Sequence, residues 1–392
     1  MPSKSFIVSV EPTVLIWARE SIGMNIGDVA KRLKGLKVSK DTISKWESGQ
    51  KNPTLIQLEK LAKSIYKRPL AAFFLPEPPE ELPLPEDFRT LPWDERKPFS
   101  PETRLAIRRA RRLQSLTAEL AKSLNRKITT KINKVNLSDN PEVVASRIRE
   151  QLGVGIQTQF SWKNETEALN EWKKAVEKRG VFVFQIGMPL EETRGFSLTE
   201  GKILIIVLNL RDSINGRIFS LFHEYGHLLL NDSGICDMGD QDYLSDEAKS
   251  IEKFCNHFAG AVLVPKDALL NHNLIKSKEY SAHWSDEILK ELAKSFKVSQ
   301  EVILRRLVIL RLSRGDFYKR KREEWKVTEY RRKGGPPRNL PKECVQKNGV
   351  PFVSLVLESH REEKITYSDV ADYLTIQLKH LPKVEQLIGG RV

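Results

Sequence analysis

The sequence predicts a multidomain protein, mainly α-helical with a small sheet. Three observations carry this. Apolar residues recur at helical spacing through most of the chain. Two β-branched and aromatic runs, Val181 to Ile186 and Ile203 to Leu208, precede a helical stretch that reads His-Glu-x-x-His. Punctuation separates the parts: a proline cluster from Pro76 to Pro85 and a Gly-Gly-Pro-Pro break at Gly334 to Pro337. A chain of 392 residues has room for two or three cores. The expected division is 1–75, a helical bundle; 76–137, a proline-rich linker and basic helix; 138–316, an α+β domain around the histidine pair; and 317–392, a small C-terminal domain.

In the first module Val14, Leu15, Trp17 and Ala18 mark one helix. Ile26, Val29, Ala30 and Leu33 mark a second, capped by Asn25. Ile43 and Trp46 mark a third. Leu55, Leu58, Leu61, Ala62 and Ile65 mark a fourth, with Asn52 as cap and Pro53 as first helical residue. A short fifth helix is expected from Ala71 to Phe74. The stretch from Val38 to Gly49, with Pro53-Thr54-Leu55 and Leu58, resembles the recognition helix of the Cro/XRE-like helix-turn-helix family. The resemblance implies that Ser39 caps this helix, that Ile43 and Trp46 are buried, and that Lys40, Asp41, Ser44 and Lys45 face the DNA major groove. The turn Lys34-Gly35-Leu36-Lys37 is longer than the family's usual one.

The prolines between Pro76 and Pro85 predict an extended, semi-rigid linker with Phe88, Leu91 and Trp93 as anchors. Ser100-Pro101-Glu102 then starts a helix to about Leu124. Its arginines, among them Arg104, Arg108 and Arg112, read as a solvated basic face, with phosphate contact as the alternative.

In the third part, Asn140-Pro141 opens a helix that Gly153 stops. Another runs from about Thr166 to Lys178. The two strands follow, with Arg194 to Ser197 on a strand or its edge. A sheet edge beside the active helix would hold an extended peptide by strand addition. His223 and His227 are four apart and so lie on one helix face, able to direct two imidazoles at one ion. Glu224, one step round, is placed to act as general base. With 7 histidines in the chain, such a motif arises by chance on the order of 0.01 times. A catalytic zinc usually takes three protein ligands. The next helix, from Ser245 to Pro265, offers Asp246, Glu247, Glu252 and His257. Cys255 reads as a small core residue.

His223-Glu224-x-x-His227 followed by Glu252-x-x-Cys255-Asn256-x-Phe258-Ala259 and Leu263-Val264-Pro265 resembles the ImmA/IrrE family of zincin-like metallopeptidases. Arg194-Gly195-Phe196 and Asn209 fit the same pattern. The resemblance spans about 138 to 310, and a fused helix-turn-helix is a common form of the family. It implies Glu252 as third zinc ligand, Glu224 as catalytic base and Zn2+ as cofactor. Tyr243, His257 and Arg194 are the possible oxyanion donors. Asn256 or Asp232 is a candidate to orient a ligand imidazole.

After Pro265, helices are expected from Trp284 to Phe296 and through Val302 to Leu307. These resemble a second, minimal helix-turn-helix used mainly for packing. In the tail two short helices are expected, Phe352 to Ser359 and Ser368 to Leu374.

A net charge of +14 points to polyanionic partners, nucleic acid first. Three scattered cysteines argue against a disulfide framework, and no CxxC pair offers a cysteine zinc site. No apolar run is long enough for a membrane span and no signal-type core is present, which reads as cytoplasmic. The expected function is a zinc-dependent intracellular endopeptidase with a DNA-binding-type module. Its partners would be DNA and a transcriptional repressor, cleaved or controlled in stress response, mobile-element or toxin–antitoxin regulation. A homodimer is compatible with this. The competing reading is a DNA-binding regulator or antitoxin with a non-catalytic metal site.

Overall fold

The structure, a computed structural model, describes residues 6–84, 86–88, 98–231, 234–236, 246–276, 281, 283–328 and 339–389. It divides into two compact units. One comprises Met1–Leu84 with Arg96–Arg109, the other Pro85–Glu95 with Ala110–Val392.

In the first unit, short helices α1 (Pro12–Glu20), α2 (Ile26–Arg32), α3 (Lys40–Glu47) and α4 (Leu55–Lys60) enclose a core of Val14, Val29, Ile43, Trp46, Leu58 and Phe73. Polar side chains set the starts of three of them. Asn25 Oδ1 accepts from Asp28 N at 2.9 Å, and Ser39 Oγ accepts from Thr42 N at 3.1 Å. Thr54 and Gln57 form a reciprocal capping box. That box corrects the expected start of the fourth helix: it begins at Leu55, two residues beyond Pro53. The Pro53 carbonyl instead accepts from Val8 N at 3.0 Å, next to the Ile7–Thr54 bridge. The long turn becomes a 3-10 turn, Lys34–Leu36, ended by Lys37 in the left-handed region at φ 52°. Arg19 on α1 holds Glu47 on α3 through two hydrogen bonds of 2.7 and 2.9 Å. Beyond α4 a π-helical stretch, Leu61–Tyr66, and a 3-10 turn, Leu70–Phe74, follow.

Helix α5 spans Pro101–Ser123. Arg109 and Arg112 lie on the expected solvated face, and two of the arginines also find partners within the protein. Within the first unit, Arg108 Nη2 donates to the carbonyls of Tyr66 at 2.5 Å and Lys67 at 2.9 Å. Within the second, Arg112 pairs with Asp372 at 2.6 Å. Arg108 is thus tied to the backbone, a contact the charge pattern of the helix does not show, while the Arg112 pair is at the surface. The anchors Leu91 and Trp93, and the side chain of Phe88, lie outside the described residues.

The second unit holds α6 (Pro141–Leu152), α7 (Ile156–Ser161), α8 (Glu165–Glu177), α9 (Ile214–Leu230), α10 (Asp246–Leu263), α11 (Lys266–Leu270), α12 (Asp286–Phe296), α13 (Gln300–Ile309) and α14 (Gly315–Thr328). Four further helices close the chain: α15 (Leu340–Asn348), α16 (Val350–Arg361), α17 (Tyr367–Leu374) and α18 (Leu381–Gly389). Two of the four, α15 and α18, were not expected. Their apolar residues are few and become legible only against a partner, as in the packing of α15 on a strand and on α18.

Five strands, β1 (Glu86–Phe88), β2 (Val181–Ile186), β3 (Gly195–Leu198), β4 (Leu204–Asn209) and β5 (Gly234–Cys236), form one sheet in the order β1-β5-β3-β4-β2. β2 and β4 pair in parallel, and β3 runs antiparallel to β4 and to β5. Arg194 to Ser197, expected on a strand or its edge, falls largely on β3. β3 lies inside the sheet, because β5 covers Gly195 and Phe196 on its outer side. Both faces are covered, so β2 to β4 are almost wholly buried and apolar. α8 and α9 pack on this sheet, and α10 packs on α9 and α6. On the other side Phe184 meets Phe352 of α16 edge-on at 5.4 Å.

Candidate metal centre

Ser213 starts α9 by accepting from Gly216 N at 2.9 Å, and Asn231 ends it at φ 58°. Nearly every residue between Ile218 and Leu229 is buried. Trp172 of α8 stands edge-on to Phe222 at 4.8 Å. Gly226 lets α10 come close on the other side. A Cβ there would lie 3.0 Å from Cys255 Sγ and 3.3 Å from Cys255 Cα. Glu252 lies one turn before Cys255, so the close approach of α10 delivers its carboxylate to the histidine face.

The result is a group of three ligand atoms within 4.8 Å of one another, from His223, His227 and Glu252. His223 Nε2 and His227 Nε2 are 3.3 Å apart. Glu252 Oε2 lies 3.4 Å from His223 Nε2, and Oε1 lies 3.2 Å from His227 Nε2. Despite these distances neither Glu252 oxygen has a hydrogen bond of good geometry. The atoms share one small space rather than pointing donor to acceptor. Glu252 is 0 % exposed, His227 0 % and His223 3 %. A carboxylate buried this far without hydrogen bonds is costly unless a cation compensates it. Two imidazoles and one carboxylate are the ligand chemistry of a first-row divalent ion, so the residues fit a bound metal.

Glu224 is 1 % exposed, and its Oε2 has no hydrogen-bond partner. Burial pushes its pKa up, opposed by the two imidazoles and reinforced by Glu252. The Ser197 hydroxyl of β3 approaches it without reaching hydrogen-bonding geometry. A Cβ on Gly195 would stand 2.9 Å from the Val207 carbonyl and 3.5 Å from Glu224 Oε1, so glycine lets β3 pass close beside the carboxylate. Glu252 behaves oppositely: burial pushes it up, but the imidazoles outweigh burial and hold it well below the usual carboxylate range. Cys255 is fully buried, which raises its thiol, and it contacts His227.

Of the four possible third ligands, Glu252 alone joins the histidines among the described residues. Asp246 and Glu247 are exposed in the first turn of α10. His257 Nε2 is 2.7 Å from Glu142 Oε1 and belongs to another network. Arg194, considered as an oxyanion donor, pairs with Asp212 at 2.9 Å. Tyr243 and Asp232 lie outside the described residues. Asn256 Oδ1 has no partner, and His223 Nδ1 has none either, so Asn256 is not seen orienting a ligand.

The residues from 176 to 308 match the family model described as IrrE N-terminal-like domain. The candidate metal centre lies within this matched segment. Residues 15–65 match the helix-turn-helix model, so the chain is a fusion of the two. No curated protein matches the chain. The IrrE N-terminal-like match covers β2 to β4, α9 and α10, and the fold is of metallopeptidase type. In the helix-turn-helix match Lys40, Asp41, Ser44 and Lys45 are all exposed on α3, while Ile43 and Trp46 face the core. Lys45 and Asp41 form an ion pair of 2.7 Å one turn apart.

Sequence reasoning missed a buried polar network that fixes the far end of α10. Arg149 Nη1 donates to the Val262 carbonyl at 2.6 Å, Gln159 Nε2 to Leu263 at 2.8 Å, and Arg306 Nε to Val264 at 3.0 Å. These carbonyls have no helical partner of their own. Arg305-Arg306-Leu307 held the one signal, since a helix that buries Leu307 also turns Arg306 inward.

Proposed function

We propose that this chain is a zinc-dependent endopeptidase joined to a DNA-binding module, and that its substrate is a transcriptional repressor or similar regulator. The setting would be stress response, mobile-element control or toxin–antitoxin regulation. The observation that carries the peptidase reading is the convergence of His223, His227 and Glu252, with the buried carboxylate of Glu224 beside them against β3. His223, His227 and Glu252 would hold the metal. Zinc bound there supplies a Lewis acid that polarises a carbonyl and brings the pKa of water down toward about 7. Glu224 takes the proton of the attacking water on Oε2, the oxygen that has no other partner. It then hands the proton to the leaving amine. Burial disfavours its charged form, which suits a group that must give the proton back.

The helix-turn-helix module presents Lys40, Ser44 and Lys45 to solvent, which supports DNA binding by α3. One observation favours a second reading, a DNA-binding regulator with a structural metal: all three ligands are at most 3 % exposed. Glu224→Gln separates the two. The variant is expected to keep its zinc, read by elemental analysis, and to lose cleavage of a co-expressed repressor. Cleavage equal to wild type would remove Glu224 as the base. Absence of cleavage in both proteins, with zinc bound, would favour the regulator.

A further inference from the structure

Beside the metal centre lies a cavity of about 600 Å³. Phe219 lines it, one turn before His223 on α9, with the two rings 6.3 Å apart. Arg194 lines it too, next to the glycine that flanks the Glu224 carboxylate. The ligand residues and Glu224 do not themselves line it, and the cavity adjoins the buried centre through Phe219 and Arg194.

Its lining is charged in one sense. Five cationic side chains, Arg194, Lys290, Lys294, Arg305 and Arg322, face two carboxylates, Glu165 and Glu301. Glu301 is shared between Arg305 and Arg322, at 3.5 Å from each. Arg305 also donates to the Tyr318 hydroxyl at 2.8 Å, and Arg194 is paired with Asp212, so the two exposed lysines carry most of the pocket's available charge. The Arg305 guanidinium lies 5.8 Å over the Phe219 ring, which fixes a cation directly above the apolar floor. Lys290 and Lys294 sit one turn apart on α12 and are exposed. Trp325 adds an apolar wall. A short apolar stem ending in an anion satisfies both features: the stem lies on Phe219 and Trp325, and the anion meets the cations.

We infer that this cavity takes an acidic side chain, glutamate or aspartate, from the peptide bound at the metal centre, and so sets substrate preference beside the scissile bond. The inference rests on the peptidase reading. Lys290 and Lys294 supply long-range attraction, and Arg305 and Arg322 supply the directed hydrogen bonds.

The test uses the full-length, zinc-loaded Glu224→Gln protein, which binds without turnover, to capture members of a pool of short randomised peptides. Glutamate or aspartate is expected to be enriched roughly tenfold or more at one position. Lys290→Glu with Lys294→Glu, both at exposed sites that leave the core untouched, is expected to abolish that enrichment or turn it toward lysine and arginine. Enrichment that is absent, or unchanged by the charge reversal, overturns the inference. Captured acidic peptides that the wild-type protein then fails to cleave would count against the peptidase reading and leave the pocket standing. Capture and cleavage without acidic preference would do the reverse.

Discussion

Glu142 on α6 accepts both terminal nitrogens of the Arg306 guanidinium, at 2.6 and 3.0 Å, across 164 residues of chain. Arg306 is fully buried, and its remaining nitrogen holds the Val264 carbonyl. His257 shares the same carboxylate at 2.7 Å. The pair locks α6 and α13 around the end of α10, the helix that carries Glu252. Arg306→Met is expected to destabilise the protein by about 3 kcal/mol, since it leaves Glu142 with His257 alone and removes the donor to the Val264 carbonyl. A urea unfolding midpoint measures it.

The same pair sets an acid dependence. Burial raises the Glu142 pKa, but His257 and Arg306 outweigh it and bring it from 4.5 down to about 2. A carboxylate depressed on folding stabilises the folded state above its unfolded pKa and loses that contribution as pH falls toward its folded pKa. The gap in midpoint between wild type and Arg306→Met is therefore expected to be full at neutral pH and to shrink between 4.5 and about 2. A gap that stays constant through that window would contradict it.

Metal removal is expected to lower the melting temperature. A ligand present at about 100 times its Kd stabilises by about 2.7 kcal/mol. Chelation should withdraw this from wild type. In Glu252→Ala the added zinc should give no upward shift, because the two imidazoles alone leave the third position unfilled. Thermal unfolding with and without zinc measures both.

Gly226 is the contact point of α9 and α10. Gly226→Val would place atoms where Cys255 Sγ already stands 3.0 Å from the Cβ position. Overpacking of this kind costs about 1–3 kcal/mol. Because the helices must part, Glu252 also retreats from the histidines. Zinc affinity is expected to fall together with stability, which distinguishes this site from an ordinary core position.

On α3, Lys45→Ala is expected to weaken DNA binding and to lower the salt slope by about 1. Asp41 pairs with Lys45 at 2.7 Å and competes with phosphate for it. Asp41→Asn is expected to strengthen binding at low salt. Fluorescence anisotropy of labelled duplex DNA across a salt series measures both, and an unchanged affinity in each variant would remove α3 as the contact helix.

The sequence by itself determined the elements whose signals are local. Asn25, Ser39 and Asn140 announced helix starts because a cap acts within three residues. The spacing of His223 and His227 put both on one face because helical geometry repeats every turn. What only the tertiary structure decided involves partners far apart in the chain. Nothing near Arg306 or Arg149 says which carbonyls they hold. Nothing near Gly195 shows that β5 will cover it, or that its missing side chain lets β3 pass beside the Glu224 carboxylate. Among four carboxylate and histidine candidates on α10, the choice of Glu252 by geometry depends on how closely that helix can approach Gly226. Such contacts are set by the packing of whole helices, and a helix's own sequence specifies its faces but not its neighbours.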